Sequence, residues 1–153
     1  MRLLFICAGN ICRSPTGEGV MRRLVREEGL EDEIEIASAG TGGWHAGDPP
    51  DARAIAAAKL RGLTLEGAAR QVTPDDFEHY DLVLAADREN VRDLLAVAPS
   101  EEAARKVHLL REYDPDASGD LDVPDPYYGG DDGFEHVLDL VEAACRGLLD
   151  EIR

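Results

Sequence analysis

What this 153-residue chain lacks narrows what it can be before any motif is read. No apolar run approaches the ~18 residues that a bilayer span requires. The stretch from Leu3 to Ala8 is too short for the core of a secretion signal, and Asn10, Arg13 and Ser14 follow it at once. A reducing cytoplasm is therefore the expected compartment. Positive charge is scarce: 16 Lys and Arg stand against 32 Asp and Glu, a formal net charge of −16. That balance argues against non-specific binding to nucleic acid or to an anionic membrane. With only three cysteines, Cys7, Cys12 and Cys145, the chain has no disulfide framework and an odd thiol is left over. Repeats, low-complexity tracts and linkers are absent as well. One domain over residues 1–153 is expected, long enough to hide roughly 68–70% of its unfolded surface. A composition of 44% apolar and 31% charged residues is that of a globular domain, and a monomer fits its size and charge.

What is present is unevenly placed. Residues 112–135 hold nine carboxylates and no Lys or Arg, whereas residues 1–30 carry five Arg against three Glu. The amino-terminal segment is where an anion would be welcome. Residues 2–7 form a short apolar run that reads as a buried strand. Ser14 and Pro15 then look like an N-cap with Pro in the first helical position, and Val20, Met21, Leu24 and Val25 repeat at helical spacing, predicting a helix over 15–28. Residues 34–38 are a second strand. Pro49-Pro50 opens an Ala-rich helix over 51–61, closed by Gly62. A third strand at 82–86, a helix at 88–97 and a fourth strand at 107–110 follow. Phe134, Val137, Leu138, Val141, Ala144 and Leu148 make the apolar stripe of a last helix. Alternating strands and helices predict an α/β fold, a parallel sheet covered on both faces. Ligands of such sheets bind at the carboxyl ends of the strands, beside a topological switch point.

The loop after the first strand reads Cys7-Ala8-Gly9-Asn10-Ile11-Cys12-Arg13-Ser14. Small residues let such a loop turn its backbone N–H groups inward as a nest for an oxyanion. The helix start beneath adds free donors and partial positive charge. Arg13 supplies a planar fork able to hold two phosphate oxygens. Gly9 and Asn10 are the types that best tolerate left-handed backbone. At the floor of the nest Cys7 would have its thiolate stabilised by the donors that hold phosphate, so one electrostatic arrangement binds the substrate and prepares the nucleophile. Ser14 can hydrogen-bond the sulfur and ease its later departure. A leaving oxygen also needs a proton, which a thiolate cannot give. Asp125, fixed between Pro124 and Pro126 and followed by Tyr127 and Tyr128, is the candidate general acid.

These stretches, together with Ser38-Ala39-Gly40-Thr41, Gly47-Asp48-Pro49-Pro50, Ala69-Arg70-Gln71 and Asp125-Pro126-Tyr127-Tyr128, come in an order that resembles the low-molecular-weight protein tyrosine phosphatases over nearly the whole chain. The resemblance implies a three-layer sandwich with a four-stranded parallel sheet flanked by helices, cofactor-free and metal-free hydrolysis, and a phosphocysteine intermediate. It implies Cys7 as nucleophile, Arg13 as phosphate binder and Asp125 as general acid and base, with Ala8, Gly9, Asn10, Ile11, Cys12, Arg13 and Ser14 around the phosphate. Asn10, Ser14 and Ser38 would form the hydrogen-bond network that shapes the loop. Trp44, His45, Asp48, Tyr127 and Tyr128 would rim the cleft and meet a phosphotyrosine protein or peptide, inorganic phosphate being the product. In one respect the chain departs from the pattern. Gly67 stands where many members carry a histidine that supports the loop network, so that network must be completed by another group, water being one.

Three other readings compete. Arsenate reductase of the thioredoxin-coupled type needs further cysteines in the middle of the chain, and none occurs between Cys12 and Cys145. Protein-arginine phosphatase tends to carry Thr at the position of Ile11, whose apolar side chain suits a phenyl ring. A non-catalytic phosphate-binding module would need neither Cys7 nor Asp125. Cys12 reads equally as a small loop residue or as an oxidisable partner of Cys7. The four histidines, His45, His79, His108 and His136, show no metal-ligand spacing. Asp87 is expected to be a helix cap or a site residue, and Arg22, Arg23 and Arg26 a solvated face.

Overall fold

Short segments, the two inner ones strongly apolar, become the strands of a single sheet. In the computed structural model, which describes residues 1–127 and 131–153, these are β1 (Arg2–Cys7), β2 (Glu35–Gly40), β3 (Leu82–Ala85) and β4 (Val107–Leu109). They pair in parallel in the order β2-β1-β3-β4. β1 lies inside the sheet and is buried on both faces, which is why it reads as an unbroken apolar run. Leu3, Phe5 and Cys7 face one apolar cluster and Leu4 and Ile6 the other.

The helices are α1 (Arg13–Glu27), α2 (Ala52–Leu60), α3 (Asp76–His79), α4 (Arg88–Val97), α5 (Glu101–Ala104) and α6 (Asp131–Ile152). α1, α2 and α6 supply one core, with Met21, Ala58, Val141 and Leu148 in the same cluster as Leu3 and Phe5 of β1. Phe77 and Leu94, from α3 and α4, supply the other. The result is the expected three-layer α/β sandwich. Full burial of side chains such as Phe5 and Leu3 contributes about 1.5–3 kcal/mol each. Gly17 lets α1 approach closely, since a Cβ there would stand 2.6 Å from the Phe5 ring.

α1 begins earlier than expected. Arg13 is its first residue and Cys12 its cap, without a side-chain cap bond, so Ser14 lies inside the first turn. The Ser14 hydroxyl is engaged elsewhere, and Pro15 remains within the first turn, where a missing N–H costs no helical bond. α2 is capped by Asp51, whose side chain accepts from the Arg53 N–H, and Gly62 follows the cap Arg61 at φ +78°. Neither α3 nor α5 was foreseen; four-residue helices carry too little periodicity to be read. β1 and β3 are neighbours whose following helices cover opposite faces. Their carboxyl ends therefore open the crevice in which loop 7–14 and Asp87 meet.

Candidate active site

Loop 7–14 turns because its carbonyls are drawn outward. Those of Cys7 and Ala8 accept from Thr41 N–H and Gly42 N–H at 3.0 Å each, that of Ile11 from Asp51 N–H at 2.8 Å, and that of Cys12 from Thr16 N–H at 3.2 Å and Thr16 Oγ1 at 2.8 Å. Among the described residues the amides of 8–13 meet no protein acceptor. Asn10 takes the left-handed backbone at φ 59°, as its residue type allows. The N-terminus of the fifteen-residue α1 lies beneath, with no carboxylate in its first turn to offset its positive end. This is a ready cradle for an oxyanion.

Cys7 and Arg13 form the floor and wall. Cys7 Sγ lies 3.0 Å from Ser14 Oγ. The buried Arg13 guanidinium donates through Nη1 to Asp87 Oδ2 at 2.5 Å and to the Val123 carbonyl at 2.9 Å, while Nη2 stands 3.8 Å from Asp125 Oδ2. Burial opposes the charge on Arg13, yet the Cys7 sulfur as an anion, Asp87 and Asp125 together hold it above its ordinary value. With Nη1 anchored, the Nε–Nη2 edge makes no hydrogen bond among the described residues, its nearest carboxylate being that of Asp125. Asp87 does two things at once: Oδ1 caps α4 by accepting from Asn90 N–H at 2.8 Å, and Oδ2 grips Arg13. It is the expected helix cap and, in addition, a partner of Arg13.

A polar chain runs from the sulfur to the surface. Asn10 Nδ2 donates to Ser14 Oγ at 2.8 Å and to Ser38 Oγ at 3.0 Å, and Asn10 Oδ1 accepts from Arg70 N–H at 3.0 Å. With its oxygen accepting from Asn10, the Ser14 hydroxyl has its proton for the sulfur. Ser38 Oγ donates to Glu18 Oε1 at 2.6 Å, and Glu18 Oε2 is held by Arg22 Nε at 3.0 Å and Nη2 at 2.7 Å. Glu18 thus extends the network from Ser38 to Arg22, and Gly67 adds no side chain to it. Gly67, at φ +99°, opens on a cavity of about 170 Å³ shared with Asn10, Glu18, Ser38 and Arg70. Arg22 is thus a brace, also bonded to the Ile36 carbonyl at 2.6 Å, and not part of a purely solvated face. The sequence held a signal for Glu18, which stands four residues after Ser14 and four before Arg22 on one helix face.

The cleft above the cup is a cavity of about 80 Å³ lined by Cys7, Ala8, Gly9, Ile11, Cys12, Arg13, Trp44, His45, Asp125 and Tyr127. The structure so brings together the three chemistry-bearing residues. Asn10 and Ser14 lie below its floor. Trp44 is 68% exposed, and the His45 ring sits between those of Trp44 and Tyr127, with centroids 6.4 and 6.1 Å away. Asp48 does not line the cleft; its carboxylate stands 3.3 Å from His45 Nδ1 and backs that ring instead. Tyr128 lies outside the described residues. Burial, then the charge of Asp51, pushes the Cys12 thiol up to about 12. Cys145 is wholly buried on α6, where burial drives its thiol upward as well. Among the described residues no group of three His, Cys, Asp or Glu is placed to hold a metal ion, and no helix is long and apolar enough to cross a membrane.

Residues 2–153 match the family model described as low molecular weight phosphotyrosine protein phosphatase. A low molecular weight protein-tyrosine-phosphatase of Streptomyces coelicolor is 53% identical, over 99% of this chain and 93% of that one. Among solved structures, a protein tyrosine phosphatase of Entamoeba histolytica with Hepes in its active site superposes with a TM-score of 0.95, at 37% identity over 99% of this chain and 96% of that one. A drosophila arginine phosphatase superposes with a TM-score of 0.93, at 29% identity over 100% of this chain and 98% of that one.

Proposed function

The chain belongs to the family of low molecular weight phosphotyrosine protein phosphatases, and from that premise we propose that it hydrolyses phosphotyrosine in proteins or peptides through a phosphocysteine on Cys7. The observation that carries the reading is the single cavity shared by Cys7, Arg13 and Asp125. The Cys7 thiolate attacks phosphorus in line with the scissile bond, forming S–P as the P–O bond to the phenol breaks. The amides of loop 7–14 and the free edge of Arg13 hold the three equatorial oxygens, where charge gathers in the transition state. Asp125 gives its proton to the departing phenolate. It then takes a proton from the water that attacks phosphorus, S–P breaks, and phosphate leaves a regenerated thiolate.

Ile11 forms part of the cleft wall. Its apolar branch suits the face of a phenyl ring and offers nothing to a guanidinium, which favours phosphotyrosine over phosphoarginine. The likeness to the drosophila arginine phosphatase makes that second substrate the one to test. Turnover of phosphotyrosine, phosphoserine and phosphoarginine is measured on the wild type and on Ile11→Thr. Phosphotyrosine is expected to dominate for the wild type, with the margin over phosphoarginine narrowing in the variant. A wild type that prefers phosphoarginine refutes the substrate, and one that binds phosphate yet turns over none of the three refutes the enzyme.

A further inference from the structure

Arg53, in the first turn of α2, stands outside the cup and takes no part in the chemistry above. Its fork is held by Asp51, with Nε to Oδ1 at 3.1 Å and Nη2 to Oδ2 at 3.0 Å. Nη2 also donates to the Tyr127 carbonyl at 3.1 Å. The guanidinium lies over two rings, 5.5 Å from the centroid of Tyr127 and 4.9 Å from that of Phe134 in α6. Asp51 is itself joined to the phosphate loop, its N–H donating to the Ile11 carbonyl at 2.8 Å. One side chain therefore ties the cup, α2, the acid loop and α6 together.

The Tyr127 residue is gripped at both of its backbone polar groups. Its carbonyl accepts from Arg53, and its N–H donates to Asp125 Oδ1 at 3.0 Å. That second bond occupies one carboxyl oxygen of Asp125, so Oδ2 is the oxygen turned toward Arg13 and the cleft. Pro124 and Pro126 fix φ on either side of Asp125, and Pro126 keeps the ψ of Asp125 extended, but neither sets its side-chain torsions or the course of the chain after Pro126. Something beyond Pro126 must hold the turn. We propose that Arg53 is a positioning residue for Asp125: by clamping the Tyr127 carbonyl to Asp51 it aims the Asp125 carboxyl at the leaving-group oxygen. This rests on Asp125 being the general acid.

The test is kcat/KM over aryl phosphates whose phenols span a wide range of acidity, because proton donation matters only where the leaving oxygen is basic. Arg53→Ala is expected to lose roughly tenfold on the poorest leaving groups, the worth of one charge-assisted hydrogen bond, and nothing on the best. Arg53→Lys recovers part of the loss, since an ammonium can reach a carbonyl but cannot fork a carboxylate. Arg53→Met keeps an apolar stem over Phe134 and should reproduce the alanine slope, which separates aiming from packing. In an Asp125→Ala background Arg53→Ala should steepen the dependence no further. A loss equal at every leaving group, or one that adds in full to that of Asp125→Ala, overturns the proposal. If Asp125→Ala is steep and Arg53→Ala flat, the positioning role alone fails; if Asp125→Ala is flat, the acid assignment fails with it.

Discussion

The two sides of the cleft are built by opposite means. The nucleophile side is eight consecutive residues, 7–14, with Cys7, Asn10, Arg13 and Ser14 all buried. The acid side is a half-exposed loop, with the Asp125 side chain 42% accessible, held from distant parts of the chain. Val123 is fixed by its N–H to the Ala86 carbonyl at 2.7 Å and by its carbonyl to Arg13, and Tyr127 by Arg53. A buried loop in which each polar side chain has a partner is costly to distort, because every lost bond leaves a desolvated group. A loop pinned at separate points beside water can adjust. The phosphate cup is therefore expected to be stiff and intolerant of change, and the acid loop graded in its response.

The largest effect should come from Cys7→Ser, which removes the attacking sulfur from an otherwise intact cup. Turnover of para-nitrophenyl phosphate should fall by at least roughly 10⁴-fold, while titration calorimetry still detects phosphate binding. Ordinary turnover by that variant would erase the distinction between the two sides. Asp125→Ala should cost about 10²-fold on unactivated phenyl phosphates and far less on activated ones. A uniform loss would mean that the acid loop serves binding and not proton transfer.

Glu18→Ala sharpens the comparison from beneath the cup. Ser38 loses its acceptor and Arg22 its carboxylate partner, so Asn10 is less firmly placed. A hydrogen bond of this kind is worth about 1 kcal/mol, roughly fivefold in kcat. Glu18→Gln should recover part of it, since an amide oxygen still accepts from Ser38. No change in kcat with either variant would show that the cup is stiff without its outer brace. The smallest expected effect is none. Because burial and the Asp51 charge raise the Cys12 thiol to about 12, it is protonated near neutral pH and offers almost no thiolate there. Inactivation by iodoacetate near pH 7 should proceed at the same rate in Cys12→Ser as in wild type; a slower rate would place reactive thiolate on Cys12 and break the assignment of Cys7 as the site's nucleophile.

The nucleophile side was legible because its parts are neighbours in sequence. A strand of apolar residues, a loop carrying Cys7, Asn10, Arg13 and Ser14, and a helix start can be read without knowing the rest of the fold. Helix α1 still began two residues early, since the hydrogen bond from the Ser14 region to Cys7 outweighs its use as a cap. Asp125 could be found from its two prolines, but not the residues that hold it. Asp87, Glu18 and Arg53 each look like an ordinary helical surface residue in the sequence, a cap or half of a local ion pair. Their second roles depend on partners 74 residues away for Asp87 and Arg13, 20 for Glu18 and Ser38, and 74 for Arg53 and Tyr127. Asp48 illustrates the converse: expected at the rim from the family resemblance, it supports His45 and leaves the cleft wall to that ring.

By itself the sequence determined what is local: an alternation of apolar strands and helices, and a contiguous loop able to cradle an oxyanion above a sulfur, because backbone propensity, residue size and side-chain chemistry act over a few residues. Only the tertiary structure decided which carboxylate anchors Arg13, which one extends the loop network beyond Ser38, and what grips the acid loop. Those choices are set by the parallel order of β2, β1, β3 and β4, which brings the ends of β1 and β3 together and lets side chains far apart in the chain share a hydrogen bond.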